Sequence, residues 1–120
     1  MCKALAATRK VYRSVEPAEL VKISGSIHHG GIVAVVSAPT LLSPKPSDLK
    51  LWAAKKNPVL MLDRVGNAHN LGALIRTAAY LGVTQIVIAD APESARPNDA
   101  AYRVAEGGME QVTVWLVRDL

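Results

Sequence analysis

VLMLDRVGNAHNLGALIRTAAYLGV, Val59 to Val83, is the stretch whose reading decides the fold. It opens as a continuous apolar run with no alternation, the pattern of a strand buried on both faces. Gly66-Asn67 breaks that run. The chain then resumes with Leu71, Leu74, Ile75 and Ala78 at helical spacing, and Gly82 ends the segment. The pattern predicts a strand over Pro58 to Asp63 and a helix over Asn70 to Leu81, with Asn70 as its N-cap. Packing alone demands neither the polar residues at the break nor Arg76, the single charge inside the helix.

Downstream, Thr84 to Asp90 (TQIVIAD) reads as a second buried strand. Pro97 to Glu106 reads as a helix stopped by Gly107-Gly108, and Val112 to Val117 (VTVWLV) as a third strand. Strand, helix, strand, helix, strand predicts an α/β fold with a parallel sheet. Three parallel strands have little cover for their faces and edges. The sequence therefore reads as the front half of a larger α/β domain.

Upstream, Lys10 to Val15 reads as a strand that follows the end of a helix at residues 3–9. Pro17 suits the first position of another helix, with Gly25 as its stop. Ser26 to Gly31 (SIHHGG) is a loop, and Ile32 to Ser37 (IVAVVS) a buried strand. Pro39, Pro44 and Pro46 mark a linker, after which Ser47 can cap a short helix, Asp48 to Lys56, with Trp52 on its apolar side. This divides the chain into residues 1–37, a linker and short helix at 38–56, and residues 57–120.

The totals bound the function. At 120 residues, half of them hydrophobic and a fifth charged, the chain has a globular composition. Phe is absent, so aliphatic side chains must fill the core. No apolar run approaches the ~20 residues of a membrane span, and MCKALAATRK lacks a signal-peptide core. The single cysteine, Cys2, excludes an intrachain disulfide and a cysteine metal cluster. These features favour a cytoplasmic protein. The net charge of +4 is uneven: residues 1–60 hold nine Lys/Arg against three Asp/Glu, and residues 61–120 hold five against seven. The basic first half suits a polyanion, and Arg9, Lys10 and Arg13 are its candidate contacts. The alternative is an ordinary solvated surface.

The loop Gly66 to Asn70 lies where ligands bind in open α/β sheets, at a strand's carboxyl end and a helix's amino end. Gly72 and Arg76, four residues apart, share one helical stripe. A glycine there leaves room for a backbone, phosphate or ribose to approach, and the arginine fork suits phosphate. A surface arginine beside a tolerated glycine is the plainer alternative. His28-His29 lack an obvious third metal ligand, so they read as a turn or an RNA-contacting edge, and no metal site is expected. Glu106 and Glu110 read as helix-end and turn charges.

Leu62-Asp63-Arg64-Val65, then Asn70-Leu71-Gly72-Ala73-Leu74-Ile75-Arg76-Thr77-Ala78 and Gly82-Val83, resembles the first signature motif of the SpoU (TrmH) family. Its members are S-adenosylmethionine-dependent RNA 2′-O-ribose methyltransferases of the trefoil-knot class. Arg103 to Val112 resembles the next family stretch, with Ala105 where a serine is usual. His28-His29-Gly30 is similar to the turn near the end of the family's RNA-recognition domain. The HHGG and AEGG stretches are similar to those of the YfiF tRNA/rRNA methyltransferase branch. The resemblance implies RNA (tRNA or rRNA) as substrate, a homodimer, and roles for Arg76 in activating the ribose 2′-hydroxyl and for Asn70 in positioning it. It implies RNA contacts at Arg9, Lys10, Arg13, His28, His29, Gly72 and Arg76. The family's cofactor-binding motifs are expected beyond Leu120. An incomplete methyltransferase, an RNA-binding fragment without catalysis and an α/β interaction domain all stay open.

Overall fold

A computed structural model describes residues 5, 7–8, 11–37, 40–118 and 120. Two compact units emerge, Met1–Ser37 and Ala38–Leu120. Arg9 and Lys10, much of the helix expected at residues 3–9, and Ala38-Pro39 of the expected linker lie outside the described residues.

In the first unit, helix α1 spans Pro17–Ser24, with Pro17 in its first turn and Gly25 in the left-handed conformation (φ 65°) at its end. Both features follow from the residues: proline has no N–H to lose there, and glycine takes positive φ without strain. Two expected strands do not form. Residues 11–15 and 32–37 carry no regular structure, and Val11, Val35 and Val36 are largely exposed. β-branched composition favours extended backbone, but a strand exists only as part of a ladder. Neither segment has a pairing partner among the described residues.

The second unit is α/β. Helix α2 spans Pro46–Lys55, then come β1 (Val59–Leu62), α3 (Ala68–Tyr80), β2 (Gln85–Ala89), α4 (Asp99–Ala105), a 3-10 turn (Met109–Gln111) and β3 (Thr113–Val117). The strands form one parallel sheet in the order β1-β2-β3. Leu42 adds a single parallel bridge beside Trp115, where the Leu116 N–H donates to the Leu42 carbonyl at 3.0 Å.

Alternation along the strands divides the side chains between two faces. Leu62, Ile86 and Ile88 pack on one face with Leu71, Ile75 and Ala78 of α3, Ala101 and Ala105 of α4, and Met109. Leu71, Ile75 and Ile86 are completely buried, and each contributes roughly 1.5–3 kcal/mol by leaving water. On the other face Val87 is buried, and Trp52 of α2 meets Trp115 edge-on at 5.4 Å between ring centroids. The Trp115 indole Nε1–H donates to Gln85 Oε1 at 2.8 Å. β1 was expected to be buried on both faces, but Met61 is 63% exposed, because α2 covers only part of that side.

Helix α2 starts one residue before the expected cap. Pro46 takes the first position and Lys45 the cap, and the Lys45 N–H donates to Asp48 Oδ2 at 2.7 Å. Proline's fixed φ decides that start over Ser47.

Helices α3 and α4 meet at Gly72. A β-carbon there would collide with the Ala101 carbonyl oxygen and sit 3.0 Å from the Val104 Cβ. We predict that Gly72→Ala destabilises the unit by about 1–3 kcal/mol, as overpacking does, despite alanine's better helix propensity. Chemical denaturation checks this, and a gain in stability would contradict it.

Candidate functional site

The carboxyl ends of β1 and β2 are joined by their loops. The Ala95 N–H donates to the Val65 carbonyl at 2.8 Å, and Gly66 lies so close to the Glu93 carbonyl that a β-carbon would come within 2.8 Å of it. Arg64, in the left-handed region at φ 48°, lies between two carboxylates, with Nε 3.8 Å from Asp63 Oδ1 and 3.7 Å from Glu93 Oε1. Arg96 pairs with Asp90 in the same region. Sequence reasoning named Arg64 only as part of the motif and passed over Glu93, because the contact that joins them spans two loops.

Asn70 is not the cap of α3. That place belongs to Asn67, whose Oδ1 accepts from the N–H groups of His69 (2.8 Å) and Asn70 (3.3 Å). The break at Gly66 lets the helix start two residues earlier than the apolar periodicity suggests, since polar first-turn residues carry no periodic signal. The consequence is chemical. The Asn70 side chain is exposed, and its carboxamide makes no hydrogen bond among the described residues. His69 is exposed beside it.

Gly72 is buried against α4, so the space it opens is taken by backbone and not by a ligand. Arg76, one turn further on, points outward with its side chain 49% exposed. Its Nη1 lies 3.3 Å from Glu106 Oε1. Gly108 presses on the same place: a β-carbon on it would lie 2.9 Å from the Arg76 Cα and 3.0 Å from the Ala105 carbonyl oxygen. The turn after α4 is thus pinned to the backbone that carries Arg76. Glu106 is more than the helix-end charge the sequence suggested. Its place directly before two glycines was the one signal that it could fold back.

Asn70 and Arg76 make no contact with each other. Six residues apart on one helix, they stand ~120° apart around its axis and ~9 Å apart along it. A group the size of a nucleotide can reach both.

The other candidates belong to the first unit. Arg13 is paired with Glu19. His28 is exposed, and its backbone N–H donates to Ser26 Oγ at 3.1 Å. His29 Nδ1 accepts from the Gly31 N–H at 3.0 Å, which makes it a turn-forming residue. No group of three metal-ligating side chains occurs among the described residues. No helix among them is long and apolar enough to cross a membrane. A pocket lined by Thr40, Leu41, Tyr102, Met109 and Val114 contains neither Asn70 nor Arg76.

The capping assignment has a measurable consequence. Asn67→Ala should cost about 1 kcal/mol of stability, and Asn70→Ala should stay within ~0.5 kcal/mol of wild type. Urea denaturation of the two variants checks this, and the reverse ranking would return the cap to Asn70.

Comparison with known proteins bears on this site directly. Residues 57–120 match the SpoU rRNA Methylase family. The chain is 38% identical over 111 residues to YfiF of Escherichia coli O157:H7, an uncharacterized tRNA/rRNA methyltransferase, covering 90% of this chain and 30% of that protein. It is 38% identical over 117 residues to an uncharacterized tRNA/rRNA methyltransferase of Haemophilus influenzae, covering 92% and 30%. The 23S rRNA (guanosine-2′-O-)-methyltransferase RlmB of Acinetobacter baylyi is 38% identical over 101 residues, covering 84% and 40%. The chain therefore spans well under half the length of these curated relatives. Matched through β1, α3, β2, α4 and β3, with Asn70, Arg76 and Glu106 inside the matched segment, the chain belongs to the SpoU rRNA methylase family.

Proposed function

We propose that this chain is the substrate-facing part of an RNA 2′-O-ribose methyltransferase acting on tRNA or rRNA. The observation that carries the reading is the support of Arg76. Gly72 and Gly108 hold its helix against α4 and the following turn, while its guanidinium stays half-exposed. A rigidly mounted, accessible guanidinium with one loose partner suits a phosphate or a developing oxyanion. In this reading Arg76 stabilises negative charge on the ribose 2′-oxygen, since a guanidinium that keeps its proton is a poor base. The free carboxamide of Asn70 orients the same nucleotide. The (guanosine-2′-O-) activity in the name of the RlmB relative supports the choice of oxygen.

The methyl donor in this reading is S-adenosylmethionine. The pocket beside β3 is lined by Thr40, Leu41, Pro97, Tyr102, Met109, Val112, Thr113 and Val114, and offers no carboxylate for its ribose hydroxyls. Other parts of the whole protein would hold the cofactor, within the trefoil-knotted domain typical of the resemblance. Residues 1–37 then serve as part of an RNA-recognition domain, with Arg9, Lys10, Arg13, His28 and His29 toward RNA. Residues 38–56 link it to the methyltransferase domain that begins at 57. Gly72 serves the RNA site through packing. The same reading implies a cytoplasmic homodimer.

The basic balance of residues 1–60, nine Lys/Arg against three Asp/Glu, favours a second reading, RNA binding without catalysis. Calorimetry with S-adenosylmethionine on the full-length protein separates the two, because only the first requires binding.

In the full-length protein, Arg76→Ala should lower methyl transfer by on the order of 10²–10³-fold or more, the cost of losing one preorganised donor. The melting temperature should hold, because the side chain is half-exposed. A tritiated methyl-transfer assay run alongside thermal melting checks both, and retained turnover would remove Arg76 from the reaction.

A further inference from the structure

We infer that Glu106 is a built-in stand-in for an RNA phosphate: it occupies the charge site at Arg76 until RNA displaces it, and so sets how tightly RNA binds. The inference rests on the RNA-binding reading above and concerns a residue that reading leaves unused.

Glu106 breaks two local rules at once. It ends α4 in the left-handed conformation, at φ 47°, where a residue with a β-carbon is strained. It also places a negative charge at a helix carboxyl end, where the exposed carbonyls already present negative charge. The end of α2 shows the ordinary solution. Lys56 takes the same left-handed conformation (φ 53°) but brings a cation, and its N–H donates to the Ala53 carbonyl. Local preference therefore does not explain a glutamate at 106. Arg76 does, because its Nη1 is 3.3 Å from Glu106 Oε1. Violations of local rules that are offset by one distant partner mark sites under another constraint.

The contact suits an exchangeable occupant. It is one approach of a single oxygen to a single nitrogen, not a two-pronged grip, and both side chains are substantially exposed (49% and 69%). Such a pair is weak in water and yields to a ligand that satisfies more of the guanidinium fork. An RNA phosphodiester has the same charge sign and two unesterified oxygens that can take the guanidinium fork side-on, where Glu106 offers one. The backbone contact between Gly108 and Arg76 keeps the carboxylate in place without fixing the arginine head.

The test measures RNA binding in the full-length protein by fluorescence anisotropy with a short structured RNA and no cofactor. Glu106→Gln should bind RNA on the order of five-fold tighter at low salt, with the gain shrinking as salt rises. The gain should vanish in the Arg76→Ala background. Glu106→Gly, which suits the left-handed backbone, should reproduce the gain and keeps the test usable if the glutamine variant folds poorly. Unchanged or weaker RNA binding by both variants overturns the inference. So does an equal gain without Arg76, which would reveal only a general charge effect. If Arg76→Ala itself leaves RNA affinity unchanged, the RNA reading of this site fails, and the inference with it.

Discussion

At Gly72 the main chain of α3 rests on the main chain of α4, with no space for a β-carbon between them. The rest of the second unit depends on that contact. It sets the distance between the two helices that cover one face of the sheet, and so lets Leu71, Ile75, Ala101 and Ala105 bury completely or nearly so over Leu62, Ile86 and Ile88. A glycine inside a helix costs roughly 0.5–1 kcal/mol relative to alanine. The aliphatic burial it permits is several times larger. The local penalty is therefore consistent with the fold as a whole.

The same approach of helices builds the site. With α4 close, the turn that follows it reaches back over α3, and Gly108 settles on the backbone of Arg76. Two glycines, on two elements, thus mount one arginine. Glu106 comes along as the residue that must lie between α4 and that turn. Packing in the core and charge at the surface are here one arrangement: a change in helix spacing would move the carboxylate relative to the guanidinium.

Much of this was legible in the residues. The three strands and two covering helices of the sheet follow from apolar runs, helical spacing and glycine stops, and the structure departs from those bounds by a residue or two. The parallel pairing follows from the alternation of strand and helix. The first unit was less legible. Residues 11–15 and 32–37 have strand-like composition, yet they lie unpaired and exposed, because a strand depends on a partner that composition does not supply. The cap of α3 was misplaced for a related reason. Asn67 and Asn70 are chemically the same, and only the backbone path through Gly66 shows which of them folds onto the helix end.

The sequence by itself determined the order of elements in the second unit, the three strands of its sheet, and the motif that carries Asn70, Gly72 and Arg76, since each rests on residue type and short-range spacing. Tertiary structure alone decided what fills the space at Gly72, which asparagine is left free, and which carboxylate faces Arg76. The first and last depend on contacts between residues about 30 positions apart, Gly72 with Ala101 and Arg76 with Glu106, and the second on the backbone path through Gly66 into α3. Periodicity within one element holds no record of the neighbour against which that element will pack.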